Sequence, residues 1–115
     1  MENLNDKKLE KMIHNIRGKR VMLEDDVAEF FECSAKDIRK AVKKNPNNFP
    51  QDFCFKLTKS ECEKIGIKNK NMPYAFTSHA ICMLSWLINT EVAINMSIYI
   101  VETVVKNGGG LFRKK

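Results

Sequence analysis

The sequence predicts a small α+β domain that contains a helix-turn-helix, short antiparallel strands and a C-terminal αα-hairpin. Three observations predict it. Residues 24 to 44 hold two short helical patterns broken at Glu32-Cys33-Ser34. Short β-prone runs lie at 16 to 23, 53 to 57 and 74 to 76, the middle one alternating with a period of two. Residues 77 to 106 then form two apolar helical segments parted by Asn89-Thr90-Glu91, the pattern of an αα-hairpin. A chain of 115 residues is expected to build one core, here a single folded unit over 1–107 followed by a flexible, Gly-rich basic tail over 108–115.

Each element has a local reason. Residues 4 to 14, with Leu4, Leu9, Met12 and Ile13 among Lys and Glu, read as an amphipathic helix, and residues 1–14 are expected to dock loosely. Ile16 to Leu23 is a strand or small hairpin with Gly18 as its turn. Glu24-Asp25-Asp26 starts a helix over 25 to 32, because carboxylates complement the positive end of its dipole. Ser34, with Asp37 three residues on, forms a capping box that opens a second helix over 35 to 44. Asn45-Pro46 ends it, since proline cannot continue the ladder, and 45 to 50 is a loop.

Phe53, Phe55 and Leu57 alternate with Cys54, Lys56 and Thr58, which predicts a strand with one aromatic face. Thr58 and Glu61 make a second capping box, opening a short helix over 59 to 65 that stops at Gly66. After a polar loop over 67 to 73, Tyr74-Ala75-Phe76 is a brief strand suited to pair with 53 to 57. Thr77 is the expected N-cap of a helix to about Ile88. The last helix, about 91 to 106, carries Val92, Ile94, Met96, Ile98, Ile100, Val101, Val104 and Val105 around most of its circumference, more than one contact face needs.

Composition removes several function classes. The chain has 20 Lys+Arg against 14 Asp+Glu, a net charge of +6, and 43% hydrophobic residues. A folded basic domain points to an anionic partner. No segment has the length and apolarity of a signal peptide or a spanning helix, so a cytoplasmic protein with no membrane partner is expected. Cys33, Cys54, Cys62 and Cys82 include no Cys-x-x-Cys pair, and only His14 and His79 could join them. Reduced, ordinary thiols are expected, with no metal and no cofactor. His79 lies beside Thr77 and Ser78, but no positioned acid accompanies them, so no enzyme is expected. Trp86, Tyr74, Phe76, Phe53 and Phe55 read as core packing rather than as a base-stacking platform.

The specific signal lies in 24 to 44. In a helix-turn-helix the two helices cross through a small residue and aliphatics, leaving the second free to enter the major groove of DNA. Ala28 fits the close approach, Val27 and Phe31 the inner face of the first helix, Cys33 the turn, and Ile38, Ala41 and Val42 the inner face of the second. On the outer face Lys36, Arg39, Lys40 and Lys43 follow i, i+3, i+4, i+7, a stripe about 100° wide, and Lys44 flanks it. Over 36 to 44 five residues are basic and one is acidic, whereas solvated faces usually mix signs. Such cations pair with phosphates, and Arg39 suits a forked contact to guanine. Ser34 at the helix start joins this candidate set. Lys64, Lys68 and Lys70 fall where a wing would sit, and Lys68 and Lys70 are candidates for flanking phosphates. Arg17, with Lys19 and Arg20, adds a third group. Glu32 occupies the turn position often given to glycine, and a left-handed backbone there would cost about 1 kcal/mol.

Taken in order, Ile16-Arg-Gly-Lys-Arg-Val-Met-Leu, Asp26-Val-Ala-Glu-Phe-Phe, Ala41-Val-Lys-Lys-Asn, Phe49-Pro-Gln-Asp-Phe-Cys-Phe-Lys-Leu-Thr and Tyr74-Ala-Phe-Thr resemble the phage KilA-N-type antirepressor superfamily. Within it, the chain is most similar to the ORF-six N-terminal DNA-binding domain, over roughly Ile13 to Lys106. The resemblance implies a DNA-binding module of mobile-element or prophage origin with a mixed α and β fold, acting as an antirepressor or transcriptional regulator. That family usually has Gly at the Glu32 position and a small hydrophobic at the Cys33 position. Its members commonly carry a further C-terminal segment for oligomerisation or effector binding.

Double-stranded DNA is therefore the expected partner. The alternative is a protein-interaction module, either an antirepressor that binds a repressor protein or a homodimer formed through the helix at 91–106, with Ile94, Ile98, Val101 and Val105 at the interface.

Overall fold

A computed structural model describes residues 4–67 and 72–106, with side chains over 7–67 and 72–103. Among the described residues six helices surround a four-stranded antiparallel sheet. Helix α1 spans Leu4–Met12 and leads into the hairpin β1 (Ile13–Ile16) and β2 (Lys19–Leu23). Arg17 and Gly18 form its two-residue turn, both at positive φ (57° and 73°), as the twist of a tight hairpin requires. In the N-terminal helix Leu9 is fully buried in the main core and Met12 packs against it half-buried.

Helix α2 (Glu24–Phe31) begins directly at the end of β2, and α3 (Ala35–Lys44) follows after three residues. A single 3-10 turn, Pro46–Asn48, occupies the loop after α3, and β3 (Cys54–Lys56), α4 (Lys59–Lys64) and β4 (Tyr74–Phe76) come next. The helices α5 (Ser78–Ile88) and α6 (Glu91–Lys106) form the C-terminal hairpin. Both capping boxes are present, at Ser34/Asp37 and Thr58/Glu61.

The sheet order is β1-β2-β4-β3. Strands β3 and β4 pair, with Cys54 opposite Phe76 and Lys56 opposite Tyr74, and β4 also pairs β2, with Met22 opposite Phe76. This register puts Met22, Phe76 and Cys54 on one face, packed with the helices, and Leu23, Ala75 and Phe55 on the other, packed with Ile16, Val21, Leu57 and Cys62. Both faces are covered, so the alternation read at 53 to 57 does not make one aromatic face: Phe53 precedes the strand and packs with the helical core, while Phe55 and Leu57 pack on the opposite side.

Two further details differ from the sequence reading. Thr77 stands at the N-cap of α5 but its hydroxyl makes no capping bond. Instead its Oγ1 and its backbone N–H both donate to the carbonyl of Phe53, at 3.0 and 2.9 Å, tying the start of α5 to the entry of β3. Trp86 is 73% exposed and is not part of the core. Among the described residues no helix is long and apolar enough to cross a membrane.

Candidate nucleic-acid interface

Helices α2 and α3 are held together from within. Val27, Ala28 and Phe31 of α2 and Ile38 and Val42 of α3 are buried, and Cys33 and Ala41 pack against them half-buried. The turn between the helices is built on Glu32, which adopts φ 56°, ψ 46° and donates its N–H to the carbonyls of Ala28 and Glu29. Cys33 N–H donates to Ala28 O at 3.0 Å, so the last carbonyls of α2 are satisfied as in a glycine-closed helix end. The left-handed backbone is therefore kept without glycine, at a cost of about 1 kcal/mol. Ser34 then leaves in an extended conformation and its Oγ accepts from Asp37 N at 3.0 Å. That bond commits the Ser34 hydroxyl to starting α3.

The buried residues Ile38 and Val42 define one side of α3, and the opposite side carries the cations. Lys36, Lys40, Lys43 and Lys44 are exposed, and among the described residues none of them forms an ion pair. Arg39 differs. It lies at the edge of the stripe, and its Nη1 is 3.0 Å from Oε2 of Glu24, which is only 3% exposed. Oε1 of the same carboxylate accepts from Tyr74 N at 2.9 Å. One buried carboxylate thus joins the first turn of α2, the middle of α3 and β4, and fixes the rotation of the basic stripe about the helix axis.

Arg17 is brought elsewhere. Its Nε and Nη2 meet the two Glu61 oxygens at 2.7 and 3.0 Å, and its guanidinium lies 4.1 Å from the Phe55 ring centroid. The forked hydrogen bonds hold the Glu61 carboxyl down to about 2, below the usual range, because the guanidinium favours the ionised form. This cation closes the β1–β2 turn over α4 and arrives already neutralised. Lys68 and Lys70 lie outside the described residues.

One cation adjoining the stripe was not singled out in the sequence. Lys56 of β3 and Lys43 of α3 border the same cavity of about 350 Å³, together with Val42, Phe49, Cys54 and Tyr74. Lys56 Nζ lies 5.8 Å from the Tyr74 ring centroid. The only available signal was its outward place in the alternation at 53 to 57. On the other flank, Lys40 and Lys44 border a groove of about 530 Å³ with Leu87 and Ile88 at the end of α5. The exposed face of α3 is a ridge between two depressions, each with lysines on its rim.

The acids near this face are disposed differently. Glu29 pairs with Lys8 of α1. Asp26 is half-buried, and burial, reinforced by Glu29 and Asp25, pushes its carboxyl up to about 6. Burial likewise pushes the Cys54 thiol up to about 12 and raises Cys33, Cys62 and Cys82, so none of the four is an activated thiolate.

No curated protein and no solved structure matches the chain. The ORF6N domain, a phage-associated family, matches residues 11–87, from the end of α1 through the α2–α3 pair and the sheet to the last turn of α5. With about two thirds of its length covered by that match, the chain belongs to the ORF6N domain family.

Proposed function

We propose that this phage-type regulatory domain binds double-stranded DNA as a helix-turn-helix, with α3 in the major groove, and acts in transcriptional or lysogeny control. The observation that carries the reading is the charge pattern of α3: four exposed lysines, Lys36, Lys40, Lys43 and Lys44, form no ion pair among the described residues and stand opposite a buried face that α2 locks in place. Free cations on a rigid helix displace condensed counterions from DNA and gain affinity from their release. Lys40 and Lys43 lie near the middle of the ridge and Lys44 and Lys56 on its flanks, and with Lys36 they suit the phosphates that line the groove. Arg39 contributes by holding α3 in register, and Arg17 by holding the hairpin. Ser34 sits at the helix N-terminus, where amide groups and the dipole favour a phosphate.

The test is charge reversal at Lys36→Glu, Lys40→Glu and Lys43→Glu together, with binding to a mixed-sequence duplex measured by fluorescence anisotropy at moderate salt. The expected result is at least about 100-fold weaker binding, with the melting temperature within about 2 °C of the unaltered protein, since the three side chains are exposed. Undiminished binding by the reversed protein would sink the proposed face.

A further inference from the structure

The three large apolar side chains left exposed among the described residues, Met83 (38%), Trp86 (73%) and Ile98 (54%), all fall on the α5–α6 hairpin. Met83 and Trp86 are three residues apart and share one face of α5. Ile98 shares a stripe of α6 with Ile94 and Val101, at i, i+4 and i+7. Ile94 and Val101 are half-buried, and all three lie outside the two packed clusters. Val105, which would extend the stripe, has no described side chain.

The charge distribution identifies what this face can receive. All 20 Lys and Arg fall within residues 7–70 or 106–115, so none lies between 71 and 105, and the hairpin carries only Glu91 and Glu102 there. A polyanion finds no cation to hold it. Two copies, each with a net charge of +6, repel wherever their basic surfaces meet, and the hairpin is the part of the described chain that contributes no lysine or arginine of its own between 71 and 105, with Lys40 and Lys44 beside the end of α5 at its edge. We infer that the outward face of α5 and α6 is where two copies of this chain associate, with Trp86 and Ile98 as its anchors. Helix α6 is about 24 Å long and a pair of packed helices about 18 Å wide, a footprint of about 430 Å², roughly half of the ~800 Å² per partner of a standard interface and in keeping with a weak dimer. Tryptophan, with Tyr and Arg, is also enriched among the residues that carry most of the binding energy of such contacts.

Trp86 is the sole tryptophan of the chain, so it reports on its own burial. The experiment uses the full chain without DNA, which separates its outcome from that of the DNA-binding test. Sedimentation velocity and tryptophan emission are recorded from about 1 µM to about 300 µM. The expected result is a rise from monomer to dimer mass with a parallel blue shift of emission. Trp86→Glu and Ile98→Glu are each expected to weaken the dimer by about 30-fold or more, with far-ultraviolet circular dichroism unchanged. A monomer at every concentration overturns the inference, whether its emission stays red, meaning the indole remains in water, or is blue throughout, meaning the chain's own residues cover it. A dimer that both substitutions leave intact overturns it as well.

Discussion

Helices α2 and α3 pack through their apolar faces, yet α2 carries Glu24, Asp25, Asp26 and Glu29 with no Lys or Arg, while α3 carries five cations and one acid. Three of the four acids of α2 are turned inward or paired: Glu24 is buried between Arg39 and Tyr74, Glu29 meets Lys8, and Asp26 is half-buried, while Asp25 is exposed. The cations of α3, Arg39 apart, face water. The helix that orients and the helix proposed to meet DNA are thereby separated in charge as well as in position. The difference teaches that net charge alone is a poor guide here. It divides equally, thirteen basic and ten acidic residues over 1–60 and seven and four over 61–115, and only the pairing of individual groups shows which charges are free.

The sharpest way to break this contrast is at its exception. Arg39→Ala leaves the Glu24 carboxylate buried with only the Tyr74 amide, and removing one partner of a buried pair is expensive. The expected loss is about 3 kcal/mol in chemical denaturation, against under about 0.5 kcal/mol for Lys40→Ala one position along. Equal effects at the two positions would show that the pair does not set the orientation of α3.

A smaller effect concerns the acids. In the folded state Asp26 holds its proton up to about pH 6, against the ordinary 3.8. Such a group opposes folding once ionised, so the penalty is absent below about pH 4, grows between pH 4 and 6, and is complete above that. Because Asp26 is only half-buried, solvent screening reduces the effect. Asp26→Asn is expected to raise stability by about 1 kcal/mol at pH 7 and by nothing at pH 3.5, read from denaturation midpoints at the two values. A gain of equal size at both would show that the carboxyl is not destabilised by its site.

The smallest expected effect lies in the turn that joins the two helices. Glu32→Gly removes the cost of the left-handed backbone and is expected to stabilise by about 0.5–1 kcal/mol, part of the relief being offset by the added freedom of glycine in the unfolded chain. Destabilisation instead would mean that the Glu32 side chain contributes something the backbone geometry does not reveal.

How much of this was legible in the sequence depends on how local each cause is. Capping boxes span four residues, and the starts of α3 and α4 followed from Ser34/Asp37 and Thr58/Glu61. The basic stripe needed only one helix period. The roles of Arg17 and Arg39 needed partners 44 and 15 positions away, at Glu61 and Glu24, which no local pattern supplies. Trp86 was misplaced because α5 has no Lys, Arg, Asp or Glu to mark its outward side and two of its polar residues, Ser78 and Ser85, are buried. Lys56 gained meaning only when the sheet order set β3 at the edge, beside the end of α3.

The claim that unpaired cations on α3 and its flank meet DNA phosphates is tested most directly by the salt dependence of duplex binding. Five contacts, from Lys36, Lys40, Lys43, Lys44 and Lys56, predict a slope of log K against log salt near −4.5 for the unaltered protein, and near −2.7 for Lys40→Ala with Lys43→Ala. A slope close to zero, or one that the double substitution leaves unchanged, would contradict the account.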